Sequence, residues 1–398
     1  MEFNFIFPKF KLLSGAERLI LKLAEYVVKA GHSVSLICHK FHQSCHSQLY
    51  PGIKLVETKK RMEYFSSHYF NAPFDYFYSI PLKNYLNQSA DVFCFFGTSL
   101  PLLWYMKAIK KLQKPCLYFC YEPPRFIYQD REKIISRMGV AGALANPFFS
   151  LYKLIDRRLI RRADAILVSS RFDQQQVEEA YRKDSHIISV GVDVVNNAKA
   201  EELRQLGETY GIDDSHKIIL TVNFLHPRKR IDLLIRAMSL IQERVPRAKA
   251  LVVGDGPERE RLESLCKELK VEEGVIFCGF VPEDKLPLYY KLADLYLHTA
   301  KEETLGLSVM EASSYGKPVV TVDEGGPRET ILQGKSGFRV EASPQALAEK
   351  AVLLLQRADL ANQMGLRGKK HIAEQYSWQK GADELIKLSQ KIITNYRR

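Results

Sequence analysis

Two carboxylates lie eight positions apart in the segment EETLGLSVMEA, which directly follows the apolar run LYLH. Glu303 precedes a helix predicted to begin near Leu307, and Glu311 lies one turn inside that helix. Gly306 permits a tight turn before it. Because the first N–H groups of a helix have no acceptor within it, they can hold an anion such as diphosphate. The spacing predicts a phosphate site flanked by carboxylates, and a solvated amphipathic helix is the alternative for an isolated pair.

Three consecutive cations follow the first predicted strand of the second half, in VNFLHPRKRIDLLI. They are Arg228, Lys229 and Arg230, at the predicted start of a helix. Positive charge at a helix amino terminus opposes the helix dipole, so a bound anion explains the run better than chance does. An ordinary solvated cationic run is the alternative.

Two loops of the first half carry further candidates. Gly15 in LSGAE lies between a predicted strand and a helix, where a backbone N–H can approach a phosphate. The segment YFCYEPPRFIYQD contains Tyr121, Glu122 and Arg125 around a rigid Pro-Pro turn. Arg125 is a candidate for binding an anionic group, with loop packing as the alternative.

A cluster of potential zinc ligands follows the second predicted strand, in CHKFHQSCH. Its members are Cys38, His39, His42, Cys45 and His46. Closed structural zinc sites usually show two well-spaced ligand pairs, and a second pair is missing here. We therefore expect no metal site in this loop.

Short apolar runs alternate with amphipathic stretches along the chain, which predicts an α/β fold with parallel sheets covered by helices on both faces. The predicted strands are Phe3–Phe7, Ser33–Cys38, Val92–Phe96, Pro115–Tyr121, Ala165–Ser169, Lys217–Asn223, Ala248–Gly254, Val275–Phe280, Leu295–His298 and Pro318–Val322. Each half forms its own doubly wound sheet. We predict domains over 1–193 and 202–378, a linker over 194–201, and a terminal helix over 379–398 that packs back on the first domain.

Composition limits the partners. The 398 residues are 46% hydrophobic, which excludes a disordered or disulfide-framework protein. Residues 1–200 carry 28 basic and 17 acidic side chains, against 30 and 29 in the remainder. The first half is therefore expected to meet an anionic partner, a soluble basic face being the alternative. Seven cysteines, no signal peptide and no bilayer-length apolar run predict a cytoplasmic protein, either free or peripheral on the cytoplasmic membrane face.

Further segments accompany the Glu303–Glu311 region. They include VVGDGPERERLE, FCGFVPEDKLPLYYKLADLYL, GKPVVTVDEGGPRETI, SGFRV and YSWQ, with LLSGAERLILKLAEYVVKAGHSVSLI near the amino terminus. With them the sequence resembles the retaining glycosyltransferases of family 4, particularly bacterial mannosyltransferase-like enzymes of polysaccharide or glycolipid synthesis. The resemblance implies the GT-B fold, in which two Rossmann-like domains face each other across a cleft. It also implies transfer of a sugar from a nucleotide diphosphate sugar with retention of configuration.

The resemblance assigns roles residue by residue. The second half would bind the donor and the first half a saccharide or lipid-linked acceptor. The implied catalytic residues are Glu303, Lys229 and Arg228, and the implied acceptor residues are Tyr121, Glu122 and Arg125. The implied donor-binding residues are Gly15, Arg228, Lys229, Val281, Glu303, Thr304, Leu305, Gly306, Leu307, Ser308 and Glu311.

The chain departs from the family at several positions. Asn223 and Phe224 replace a Gly-Arg pair, Tyr121 replaces a His, and Leu305 replaces a Phe. No Asp-x-Asp pair occurs, so the diphosphate is expected to be neutralised by cations and helix amino termini without a metal cofactor. The basic loop resembles those of mannosyltransferases and favours GDP-mannose.

The aromatic segment Tyr64–Tyr78, which follows Lys59–Arg61, and the cationic run KLIDRRLIRR suit an anionic lipid interface. Aromatic residues packed inside a soluble domain are the alternative. Three other functions stay open. They are a nucleic-acid-binding protein, which the charge but not the motifs favours, a catalytically weak nucleotide-sugar-binding subunit, and a GT-B epimerase or phosphorylase. We expect no nucleic-acid partner.

Overall fold

The computed structural model describes residues 1–10, 15–58, 84–97, 109, 112–194 and 198–396. The chain divides into two compact units. The first contains Met1–Gly191 together with Trp378–Arg398, and the second contains Val192–Ser377. The chain therefore leaves the first unit once and returns to it for the terminal helix.

A parallel sheet forms the centre of the first unit. Its described strands are β1 Glu2–Ile6, β3 Ser33–Cys38, β5 Ile53–Glu57, β6 Val92–Phe96, β7 Cys116–Phe119, β8 Ala165–Val168 and β9 Ser185–Ile187. They lie in the order β5-β3-β1-β6-β7-β8-β9, and the short strands β2 Lys9–Phe10 and β4 Lys40–Phe41 pair separately. The sequence of β6, VFCFF, is wholly apolar because both faces of this central strand are buried.

Helices of the first unit cover its sheet. They are α1 Gly15–Lys29, α2 Gln43–His46, α3 Arg125–Tyr128, α4 Arg131–Met138, α5 Val140–Arg161, α6 Arg171–Tyr181 and the terminal α15 Trp378–Tyr396. The terminal helix packs on α1. Glu384 accepts a hydrogen bond from the Ser189 N–H at 2.7 Å. A Cβ on Gly381 would lie 2.0 Å from the Ser189 carbonyl oxygen, and one on Gly191 would lie 2.5 Å from the Trp378 nitrogen. The two chain crossings between the units are thus adjacent.

The second unit has its own parallel sheet. Its strands are β10 Lys217–Val222, β11 Ala248–Val253, β12 Val275–Gly279, β13 Leu295–His298, β14 Val319–Val322 and β15 Gly337–Val340, in the order β12-β11-β10-β13-β14-β15. The helices are α7 Ala200–Thr209, α8 Ile231–Arg244, α9 Arg259–Leu269, α10 Leu286–Leu292, α11 Leu307–Ser314, α12 Pro327–Thr330, α13 Pro344–Gln356 and α14 Ala358–Gln375. Along β10, Ile219 joins the core on one face, and Ile218 and Leu220 join the core on the other. The sheet is therefore buried on both faces.

The α/β prediction is confirmed, and all ten predicted strands occur within two residues of their expected ends. The final helix was predicted over 379–398 and spans Trp378–Tyr396. Part of the expected linker, 194–201, belongs to α7, because that helix begins at Ala200.

Candidate active site

The strand order of the second unit creates a break at the carboxyl edge of its sheet. From β10 the chain adds β11 and β12 on one side, and it then crosses to place β13 on the other side of β10. β10 and β13 are neighbours, and the loops that follow them lead to opposite sides of the sheet. In open α/β sheets ligands bind at such a crossover. Arg228 and Lys229 lie in the first of these loops, and Glu303 and Gly306 lie in the second.

Lys229 and Glu303 form an ion pair at this crossover. The Lys229 ammonium donates a hydrogen bond to the Glu303 carboxylate, and both side chains are largely buried, with exposures of 19% and 16%. Burial alone would raise the pKa of Glu303. The charge and hydrogen bond of Lys229, with smaller contributions from His298 and Arg228, outweigh it and hold that pKa at about 2. The carboxylate is therefore ionised at neutral pH.

Arg230 is anchored inside the protein. Its guanidinium bonds both carboxylate oxygens of Glu324 at 3.2 and 2.9 Å, and its Nε donates to the Thr299 carbonyl at 2.9 Å. This arrangement differs from the predicted one, in which three cations at a helix start face an external anion. Instead, Pro227–Lys229 forms a short 3₁₀ turn, and Arg230 precedes α8 with a φ of 47°. The charge of the run is thus partly neutralised by the protein, by Glu324 at Arg230 and by Glu303 at Lys229.

Glycines bring the loop after β13 into direct contact with the loop after β14. The Gly326 N–H donates to the Glu303 carbonyl at 2.8 Å, and a Cβ on Gly326 would lie 1.7 Å from the Thr304 carbonyl oxygen. Gly306 has a φ of 78° and caps α11, so Leu307 opens the helix as predicted. The backbone around Glu303 is therefore fixed by the loop after β14.

Glu311 lies one turn into α11 and is 7% exposed. It accepts a hydrogen bond from the Tyr290 hydroxyl at 2.7 Å, and the Tyr290 ring stacks on Tyr315 at 5.2 Å. The alternative of a solvated Glu311 is wrong. The Glu311 carboxylate is buried and is oriented by the Tyr290 hydroxyl.

The other predicted donor residues surround the same sheet edge. Leu305 is buried, and Val281 lies two residues after the end of β12 with its side chain in the core. Thr304 lies in the loop before α11, and Leu307 and Ser308 are the first two residues of that helix.

Exposed aromatic rings mark two strand ends at this edge. Phe280 follows β12 and is 78% exposed, whereas Phe224 follows β10 and is 62% exposed. Phe280 was not singled out from the sequence, although an aromatic residue after an apolar strand was its available signal.

His298 was missed because it ends the apolar strand β13 and resembles a core residue. The side chain is fully buried, and neither ring nitrogen has a hydrogen-bond partner within the described part of the chain. Burial lowers its pKa to about 4, Lys229 and Arg230 act in the same direction, and Glu303 opposes them. His298 is therefore neutral at pH 7, next to the charged groups of the site.

This buried histidine should make the protein sensitive to acid. Below pH 6.5 the unfolded chain takes up a proton that folded His298 does not accept until about pH 4. The free energy of unfolding should thus fall as pH drops through this window, by about 2 kcal/mol at pH 5 for this group. Urea unfolding at pH 7 and pH 5 should show a smaller loss in His298→Leu than in wild type. His46→Leu, at an exposed histidine, is the control, and an equal loss in all three proteins would contradict the assignment.

In the first unit, the structure brings two predicted regions together. The Tyr121 hydroxyl donates to the Ala16 carbonyl at 3.3 Å, next to Gly15 at the start of α1. Burial raises the pKa of Tyr121 well above its usual value, which keeps the phenol protonated. Leu13 and Ser14 of the same loop lie outside the described residues.

Arg125 has two carboxylate partners. Its guanidinium contacts Glu122 at 3.2 Å and Asp130 at 3.1 Å. The fixed Pro-Pro turn thus holds Glu122 and Arg125 in one charged cluster, where part of the arginine charge is already balanced.

The Cys38–His46 cluster has structural contacts. His39 shares a hydrogen bond with Thr58 at 3.1 Å, and the His42 ring accepts one from the Ser44 N–H at 3.2 Å. Across the residues that the structure describes, no group of three or more His, Cys, Asp or Glu side chains is arranged to hold a metal.

The structure describes only one of the two regions predicted to face a lipid surface. The aromatic segment Tyr64–Tyr78 and the cations Lys59–Arg61 lie outside the described residues. The run KLIDRRLIRR forms the end of α5. Among the described helices, none has the length and apolar content needed to cross a bilayer.

Sequence comparison relates both units to known proteins. The family model described as "Glycosyl transferases group 1" matches residues 204–371, which contain the crossover site. The model "Glycosyltransferase Family 4" matches residues 13–196. The chain belongs to the family 4 glycosyltransferases. In this family 4 glycosyltransferase, the two models thus cover the two units separately.

A curated relative is the GDP-mannose-dependent alpha-(1-6)-phosphatidylinositol monomannoside mannosyltransferase of Mycolicibacterium smegmatis. It is 30% identical over 243 residues, covering 58% of this chain and 63% of the relative. The chain spans 48–63% of the length of the first curated relatives that it matches.

Two solved structures share the fold over nearly the whole chain. Sucrose-phosphate synthase from Thermosynechococcus elongatus has a TM-score of 0.80 at 17% identity, with 99% of each chain covered. Anabaena HepE, solved with UDP and glucose, has a TM-score of 0.74 at 19% identity, covering 98% of this chain and 100% of the other. The GT-B fold class of the family 4 glycosyltransferase is confirmed.

Proposed function

We propose that this protein transfers a sugar from a nucleotide diphosphate sugar, preferably GDP-mannose, to a glycan or lipid-linked saccharide during synthesis of a cell-surface polysaccharide or glycolipid. The transfer retains the anomeric configuration and needs no metal ion. It takes place in the cytoplasm, on the cytoplasmic membrane face when the acceptor is a lipid.

The observation that carries this proposal is the Lys229–Glu303 pair at the strand crossover, beside the first turn of α11. As the bond between sugar and diphosphate breaks, negative charge grows on the phosphate and positive charge on the sugar. Lys229, Arg228 and the α11 amino terminus stabilise the phosphate. The ionised state of Glu303 supports a role in stabilising the positive charge that grows on the sugar.

The acceptor attacks from the face that the diphosphate leaves. Its hydroxyl proton passes to a leaving phosphate oxygen, because Tyr121 stays protonated and is a poor base. In the first unit, Glu122 and Arg125 contribute hydrogen bonds to the acceptor. Backbone N–H groups near Gly15, at the start of α1, bind a phosphate of a substrate.

Donor preference is the finer part of the proposal. The mannosyltransferase relative uses GDP-mannose according to its name, and the basic loop at Arg228 resembles those of mannosyltransferases. Phe224 argues against carrying the donor preference of the relative over directly to this chain. It is an exposed ring at a position where the family carries an arginine. The absent cation reduces the phosphate-binding charge to Arg228 and Lys229.

Tyr290→Phe is expected to weaken donor binding by about 3- to 10-fold, since the Glu311 carboxylate loses a charge-assisted hydrogen bond that orients it toward a ribose. The same change should reduce the free energy of unfolding by about 1–3 kcal/mol. Calorimetry with the nucleoside diphosphate gives the affinity, and urea unfolding gives the stability. Tyr85→Phe, at an exposed tyrosine, is the control. Unchanged affinity in Tyr290→Phe would remove Glu311 from the donor site.

The direct test of function has two stages. The melting temperature is measured with GDP, UDP and ADP, each with and without EDTA, and the matching nucleotide sugars are then supplied with lipid-linked and soluble saccharide acceptors. We expect GDP to stabilise the protein most and mannose to appear in an α-linked product. Nucleotide binding without turnover would favour the weak binding subunit. Epimerised donor, or transfer to free phosphate, would favour the epimerase or phosphorylase.

A further inference from the structure

The helices α4 and α5 of the first unit form a tightly packed hairpin. A Cβ on Gly142 would lie 2.1 Å from the Ile135 carbonyl oxygen, so glycine permits the close approach of the two helices. On its inner side α5 packs through aromatic rings, with Phe126 contacting Tyr152 at 5.3 Å and Phe149 at 6.5 Å between centroids. The hairpin is thus held firmly by one face of α5.

The opposite face of α5 is apolar and exposed. Leu144 and Phe148 are 73% and 75% exposed, and Leu151 and Leu154 are 54% and 48% exposed. Their spacing of four, three and three residues places them along one side of the helix. Large exposed apolar side chains in a continuous row commonly mark an interaction surface. We call these four residues the α5 stripe.

The surface around the α5 stripe carries many more cationic than acidic side chains. Residues 131–162 contain two acidic residues, Glu132 and Asp156. Asp156 is buried and accepts a hydrogen bond from Tyr128 at 2.8 Å, which leaves Glu132 as the exposed acid of the hairpin. The exposed cations of the hairpin and its carboxyl end are Lys133, Arg137, Arg158, Arg161 and Arg162. The surface therefore combines an apolar row with a strong positive excess.

We propose that the α5 stripe inserts into the interfacial region of an anionic lipid bilayer, with the flanking arginines bound to lipid headgroups. An apolar helix face bordered by cations is the arrangement that lies flat in a membrane interface. Anionic lipids supply the charge that Arg158 and Arg162 lack within the hairpin. This surface belongs to the first unit, and membrane docking does not depend on the choice of nucleotide sugar.

Co-sedimentation of the full chain with vesicles tests this docking. Vesicles of phosphatidylcholine with about 30% phosphatidylglycerol should bind wild type, vesicles of phosphatidylcholine alone should bind it weakly, and high salt should reduce binding to the anionic vesicles. Phe148→Glu with Leu151→Glu should lower the partition coefficient at least about 10-fold. Arg158→Glu with Arg162→Glu should weaken binding and reduce its dependence on salt.

Leu366→Glu is the matched control, because Leu366 is 67% exposed on a helix of the second unit. It should bind anionic vesicles like wild type. Circular dichroism and melting temperature verify that each variant is folded. Docking through α5 is overturned if wild type does not sediment with anionic vesicles, or if the Phe148→Glu and Leu151→Glu protein sediments equally well. A wild-type dimer that these substitutions dissociate, with no vesicle binding, would assign the stripe to a second copy of the chain.

Discussion

Replacement of Glu303 by Gln is expected to lower kcat for sugar transfer by at least about 100-fold. The carboxylate has a pKa near 2 and is fully ionised at the pH of the assay. The neutral amide keeps the shape but removes the negative charge facing the positive sugar of the transition state. The affinity for the nucleoside diphosphate alone should change less than about 3-fold, because that ligand lacks the sugar.

Initial rates of product formation and calorimetric affinities separate these two effects. Glu302→Gln is the matched control, since Glu302 is the preceding carboxylate and pairs with Lys301 at 3.5 Å. The control should keep most of its activity. Retention of more than about a tenth of kcat by Glu303→Gln would exclude Glu303 from the chemical step.

Lys229→Met should cause a comparable loss through a different part of the reaction. We expect kcat/KM to fall by about 100- to 1,000-fold and the nucleoside diphosphate to bind more than about 10-fold more weakly, since a cation next to the leaving phosphate is removed. Affinity for the unphosphorylated nucleoside should not change. The pKa of Glu303 should rise when its partner is lost, so the acid limb of the residual activity should move to higher pH.

The same pair offers a stability test. Lys229→Met leaves the buried Glu303 charge uncompensated, and the free energy of unfolding should fall by about 1–3 kcal/mol. Adding Glu303→Gln should restore much of that stability without restoring activity. Lys335→Met, at an exposed lysine of the same unit, serves as the control. If Lys229→Met binds the diphosphate as tightly as the control does, the proposed phosphate contact is wrong.

Central strands were predictable because their signals are strong. Runs such as VFCFF of β6 and IIL within β10 are continuously apolar and buried by helices on both sides. The strands that escaped prediction include β5, β9 and β15, which lie at sheet edges. They are short and partly exposed, as in the sequence SHI of β9, so their pattern resembles that of loops.

The arrangement of the site was predictable only for residues that lie close together in the sequence. Glu303, Gly306 and Glu311 lie within one turn and one helix, so their spacing indicated their arrangement. The contact of Lys229 with Glu303, and that of Arg230 with Glu324, join loops far apart in sequence. Those contacts follow from the order β10-β13-β14, which depends on tertiary packing that no local pattern specifies.

The adjacent chain crossings at Gly191 and Trp378 have a consequence for synthesis. During translation, every residue of the second unit emerges before α15 does. The second unit is therefore complete in sequence before the chain adds the helix that packs on α1. The part of the protein that is made first is thus the part completed last.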